Sequence, residues 1–105
     1  MGESFGRFLR RLRKQKGLSQ RALADEVGVD FTYLSKVEND TPGFASVSEE
    51  TLDRLAGALG TDPDEMITRA GKIPSDVKRI LVDDFSLIKE IRHRKTGDAS
   101  DGGTS

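Results

Sequence analysis

Short apolar stripes at helical spacing, opened by capping side chains and mostly closed by glycine, allow little in this chain except short helices packed on one another. After Ser4, the residues Phe5, Phe8, Leu9 and Leu12 recur at i, i+3, i+4 and i+7, and Gly17 stands where a left-handed terminating residue is wanted. Ser19 opens a second stripe of Leu23, Ala24 and Val27 that stops at Gly28, and Asp30 caps a third with Leu34 and Val37 facing inward. Pro42 and Gly43 make residues 40–47 an irregular loop. Ser48 then caps a helix with Leu52, Leu55, Ala56 and Leu59 inward and Gly60 as its stop. Asp62, Pro63 and Glu65 form a capping box with proline at the first helical position, and that fifth helix ends near Gly71.

Beyond Pro74, the residues Val77, Ile80, Leu81, Phe85, Ile88 and Ile91 line one long helix or two. Asp84 as a cap favours two. Residues 96–105 are small, polar and glycine-rich and are expected to form a disordered tail. With no strand-like alternation longer than four residues and no internal repeat, the fold class is all-α. The expected division is a domain over 1–72, a helical extension over 73–95 and the tail over 96–105.

Composition removes several classes of function. The chain has 105 residues and no cysteine, which excludes disulfides, a thiolate nucleophile and cysteine-ligated metal. A single histidine, His93, excludes a multi-histidine metal site, so neither metal nor cofactor is expected. No apolar run exceeds three residues, far below the roughly 18 that span a bilayer, and residues 1–6 lack a signal-peptide layout. A soluble cytoplasmic protein with no membrane partner is the expectation. The nucleotide-binding GxxxxGK[ST], HExxH and GxSxG patterns are absent, and a non-enzyme is expected.

The most informative stretch is Gln20 to Asn39, QRALADEVGVDFTYLSKVEN. Two helices crossing steeply through a tight turn need a small residue at the crossing, and Ala24 is one. They need a turn residue that accepts positive φ, supplied by Gly28. They also need apolar residues before, inside and after the turn, and Leu23, Val29, Leu34 and Val37 stand at those places. This is the spacing of a DNA-binding helix-turn-helix.

With LRRLRKQKGLSQ ahead of that stretch and SEETLDRLAGALGTDPDEM after it, residues 5 to 70 resemble the Cro and lambda-repressor type of helix-turn-helix domain, the XRE family. The resemblance implies a five-helix lambda-repressor-like bundle, with one or two extra C-terminal helices beyond it. It further implies that the helix from Asp30 to Glu38 lies in the major groove of double-stranded DNA. Phe31, Thr32 and Lys36 would then face base edges. Gln20, Arg21, Tyr33, Ser35 and Asn39 would lie toward the phosphates. Lys36 can donate to guanine, Thr32 can bond or touch a thymine methyl, and Phe31 offers apolar contact alone. Arg13 and Glu38 match a structural ion pair of related domains that ties the first helix to the third.

The charge count, 17 basic against 18 acidic, argues at first against a polyanionic partner. Divided along the chain it does not. Seven basic residues and no acid lie between residues 7 and 24, a run that favours phosphate contact, with Arg10 and Lys14 the named examples. Phe44 in the loop either folds onto the core rim or meets a partner.

The apolar surplus of the C-terminal segment asks for another surface. Val77, Ile80, Leu81, Phe85, Ile88 and Ile91 are read as a dimerisation face, because one recognition helix reads too few base pairs to be selective. The expected function is a dimeric transcriptional repressor on a palindromic operator. The alternative is an antitoxin or interaction module whose C-terminal helices bind a protein partner while the helix-turn-helix autoregulates.

Overall fold

The computed structural model describes the backbone of residues 2–104 and the side chains of 2–96. It divides into two units, 1–74 and 75–105. The first contains α1 (Phe5–Gln15), α2 (Gln20–Val27), α3 (Phe31–Glu38), α4 (Glu49–Leu59) and α5 (Pro63–Arg69). The second contains α6 (Ser75–Asp83) and α7 (Ser86–Thr104), and there is no strand among the described residues.

Local chemistry explains most helix ends. The hydroxyls of Ser4, Ser19 and Ser48 accept the backbone N–H groups of Arg7, Ala22 and Thr51, and the Asp62 carboxylate accepts that of Asp64. Asp30 occupies the cap position of α3 but makes no side-chain cap bond, contrary to the role its position predicts. The side chain of Glu65, expected to close a capping box, lies 3.9 Å from Arg69 on the next turn.

In the first unit α1 packs on α3, α2 on α3 and α4, and α4 on α5. Their inward stripes meet in one core: Phe8 and Leu9 from α1, Leu23, Ala24 and Val27 from α2, Leu34 and Val37 from α3, and the apolar faces of α4 and α5. Each large aliphatic or aromatic side chain so enclosed contributes about 1.5–3 kcal/mol. Val47, at the end of the loop, is fully buried and pins that otherwise irregular segment to the core.

The α2–α3 turn is built as its sequence requires. Gly28 takes φ 81°, and the N–H groups of Gly28 and Val29 both reach the Ala24 carbonyl, at 2.8 and 3.0 Å. A second close approach joins α1 to the end of α3. Asp40, at φ 53°, turns its carboxylate back to accept the Gly6 N–H at 2.9 Å and the Ser4 hydroxyl at 2.6 Å. Gly6 is buried there: a Cβ on it would stand 2.7 Å from the Val37 carbonyl and from Asp40 Oδ1, and closer still to the Glu38 carbonyl.

The second unit breaks into two helices where the sequence predicts. Asp84 Oδ1 accepts the Ser86 N–H at 3.2 Å, at the start of α7. The α7 backbone is helical to Thr104, while the tail expected over 96–105 lies, from residue 97 on, outside the residues whose side chains are described.

Candidate nucleic-acid interface

The residues of α3 and its C-cap divide into two faces. Leu34, Val37 and Glu38 are buried, while Thr32 and Asn39 are exposed and Ser35 and Lys36 half-buried, so positions 32, 35, 36 and 39 form the outward stripe at helical spacing. Phe31 lies three residues before Leu34 and seven before Glu38, which puts it on the inner edge. It is half-buried against the core, as is Tyr33 four residues before Val37. Phe31 and Tyr33, expected to turn toward base edges and phosphates, thus also pack on the core.

Glu38, 1% exposed, anchors the inner face. Its carboxylate takes a two-pronged bond from Arg13, Nε to Oε2 at 2.7 Å and Nη2 to Oε1 at 2.9 Å. The remaining Arg13 Nη1 donates to the Leu18 carbonyl at 2.9 Å, in the turn that launches α2. Gln20 Nε2 donates to the same Oε1 at 3.0 Å. One carboxylate thus ties α1, α2 and α3 together, and every buried side-chain N or O atom among the described residues has a partner. Gln20 turns its amide inward to this network, instead of toward the surface where it was expected to meet phosphate.

The cations around α3 are held in specific places. Arg21 stacks on Phe31, its guanidinium carbon 4.3 Å from the ring centre. Lys36 Nζ lies 5.4 Å from the centre of the Phe44 ring, which also tilts against Tyr33 at 6.1 Å. Phe44 thus folds onto the rim of the core. Burial among these rings pushes the Tyr33 phenol above its ordinary value. Arg10 donates from Nη2 to Asn39 Oδ1 at 2.6 Å, with its Nε 3.6 Å from Glu38 Oε1. Lys14 is exposed on α1.

The basic run of α1 is not one stripe. Arg13 is consumed by Glu38. Arg11 grips Glu3 with two bonds of 2.8 Å, and the hydrogen bond holds the Glu3 carboxyl below its usual range. The acids that neutralise these arginines lie outside the 7–24 window, so a count along the chain overstates the free positive charge.

On α6, on α7 and in the break between them, Val77, Ile80, Phe85, Ile88 and Ile91 are exposed and Leu81 is half-buried. Val82, 73% exposed, lies off that row, on the face of α6 that it shares with Ser75, Lys78 and Arg79. No residue of α6 is buried. No group of histidines or acids that could hold a metal occurs among the described residues, and no described helix is long and apolar enough to cross a membrane.

Comparisons with known proteins agree with this geometry. The chain is 37% identical over 65 residues to Control protein C.MunI of Mycoplasma sp, covering 61% of this chain and 84% of that protein. It is 33% identical over 64 residues to Control protein C.BamHI of Bacillus amyloliquefaciens, covering 60% and 75%. An HTH-type transcriptional regulator of Mycobacterium tuberculosis is 34% identical over 76 residues, 71% of this chain, which spans 52% of that relative's length. A solved chain from the SinR protein/SinI protein complex shares the fold with TM-score 0.55 and 19% identity, over 90% of this chain and 98% of that one. Residues 4–67 match the helix-turn-helix domain family, and the chain belongs to its Cro and lambda-repressor-like branch, the XRE-type helix-turn-helix proteins.

Proposed function

We propose that this chain is a DNA-binding transcription regulator that reads a palindromic operator as a homodimer and represses by occluding the promoter. The observation that carries the reading is the two-faced α3: an inner face locked through Glu38, and an outward stripe of Thr32, Ser35, Lys36 and Asn39 made only of hydrogen-bonding side chains. Thr32 and Lys36 meet base edges in this reading, and the half-buried Phe31, under Arg21, offers at most apolar contact to a thymine methyl. Arg21, Lys14, Ser35 and Asn39 lie toward phosphates, and the Tyr33 phenol flanks them. Two such helices about 34 Å apart read two half-sites, and the apolar row on α6 and α7 supplies the contact between copies.

Selection of binding sites from random duplex DNA tests the proposal. An enriched inverted repeat with half-sites one helical turn apart is the expected result. Enrichment of no sequence overturns it.

The same exposed row favours a second reading, in which α6 and α7 hold a different protein and the helix-turn-helix autoregulates. Sedimentation of the purified chain separates the two. A dimer supports the first, and a monomer with its apolar row uncovered supports the second.

A further inference from the structure

We propose that Arg10 is a positioning residue: it fixes the side-chain amide of Asn39 so that Asn39 offers its N–H groups to a DNA phosphate. The inference rests on the DNA-binding reading above and adds a role that the sequence pattern does not contain, since Arg10 there is simply another phosphate contact.

The chemistry is directional. A guanidinium carries donors and no acceptor, so the atom that Asn39 turns toward Arg10 is Oδ1, at 2.6 Å. Nδ2, with both its hydrogens, then faces away from Arg10. Asn39 has little backbone freedom to undo this, because it is the C-cap of α3 and its own N–H bonds back to the Ser35 carbonyl. It is exposed and stands seven residues after Thr32, at the end of the outward stripe.

A looser ion pair steadies Arg10 from behind. Its Nε lies 3.6 Å from Glu38 Oε1, and Glu38 is immobilised by Arg13 and Gln20. The order of support therefore runs from the buried carboxylate through Arg10 to the amide. With two arginines on one carboxylate the cluster carries one positive charge beside the C-terminus of α3, opposite in sign to the helix dipole there and to the Asp40 carboxylate one residue past the cap.

A double-mutant cycle with Arg10→Met and Asn39→Ala, measured on the selected duplex, tests the proposal. Each single variant is expected to lose about tenfold in affinity, the scale of a charge-assisted hydrogen bond, and the double variant no more than the larger single loss. Asn39→Asp, which pairs more strongly with Arg10 but has no donor, is expected to bind more weakly than Asn39→Ala. The side-chain amide resonances of Asn39 should shift on addition of DNA in the unsubstituted chain and stay in place in Arg10→Met.

Losses that add, or full binding by Asn39→Ala, would overturn the proposal. So would a loss confined to one base pair, since a phosphate contact weakens all sequences alike. Failure of the unsubstituted chain to bind any duplex would instead overturn the DNA-binding reading itself. Thermal melts of each variant separate binding from folding. If Arg10→Met melts early, Arg10→Leu with the same amide signal serves in its place.

Discussion

The carboxylate of Asp40, one residue past the cap of α3, accepts the Gly6 N–H in the first turn of α1 at 2.9 Å, across 34 positions of sequence. The N-terminus of α1 and the exit of α3 are thereby fastened at a point where only a hydrogen atom fits as the side chain of residue 6.

Gly6→Ala should accordingly destabilise the first unit by about 1–3 kcal/mol, the usual cost of an inserted methyl that its surroundings cannot accommodate. Because the obstructing atoms at Val37 and Glu38 are backbone carbonyls, relaxation has to move α1 or α3 as a body. Thermal unfolding by circular dichroism checks this, with a drop of about 4–8 °C expected per kcal/mol. An unchanged midpoint would show that the two helices do not meet this closely.

Glu38→Ala leaves the Arg13 guanidinium buried without its carboxylate and should cost about 3–5 kcal/mol. The loss of DNA affinity is expected to follow the loss of folded protein, so that binding recovers at low temperature. Urea unfolding alongside binding measurements gives both numbers. A variant as stable as the unsubstituted chain would sink the structural role of the pair.

Tyr33 is the chain's single tyrosine and there is no tryptophan, so one phenol reports on α3 without interference. Burial raises its pKa above the ordinary value near 10. The folded state therefore disfavours tyrosinate, and stability that is intact below that ordinary value is lost as pH rises through the raised one. Ultraviolet absorbance should show Tyr33 titrating later in the folded chain than in urea. Coincident curves would place the ring in water.

Ile80→Asp with Ile88→Asp puts charge into the exposed apolar row of α6 and α7. Sedimentation should change from dimer to monomer while the unfolding midpoint of the 1–74 unit stays in place. Persistence of the dimer would locate the contact between copies elsewhere.

The parts of this structure legible in the sequence are those with a local cause. Ser4, Ser19 and Ser48 each bond a backbone N–H three residues on, and Gly28 sits where the turn demands positive φ, so both leave a mark within a few positions. The ties that orient the site leave none. Asp40 to Gly6 spans 34 residues, and nothing near Asp40 distinguishes it from an ordinary loop aspartate. Arg13 with Glu38 was reached only through a family resemblance, and the added hold of Gln20 and Arg10 on the same carboxylate was not. Phe31 shows a different limit. Two apolar positions set the direction of the α3 stripe too coarsely to tell that a residue three before Leu34 falls on its inner edge, where Arg21 then covers it.

The division of α3 into two faces also bears on how such a protein changes over generations. Glu38 and the residues that grip it set where the helix lies, whereas Thr32, Ser35 and Lys36 are free of that network. Under the proposed function, substitutions on the outer face would alter target preference one position at a time, with folding left intact. New targets would then be reachable by small steps from a single scaffold, while a change at Glu38 would cost the fold whatever sequence was read.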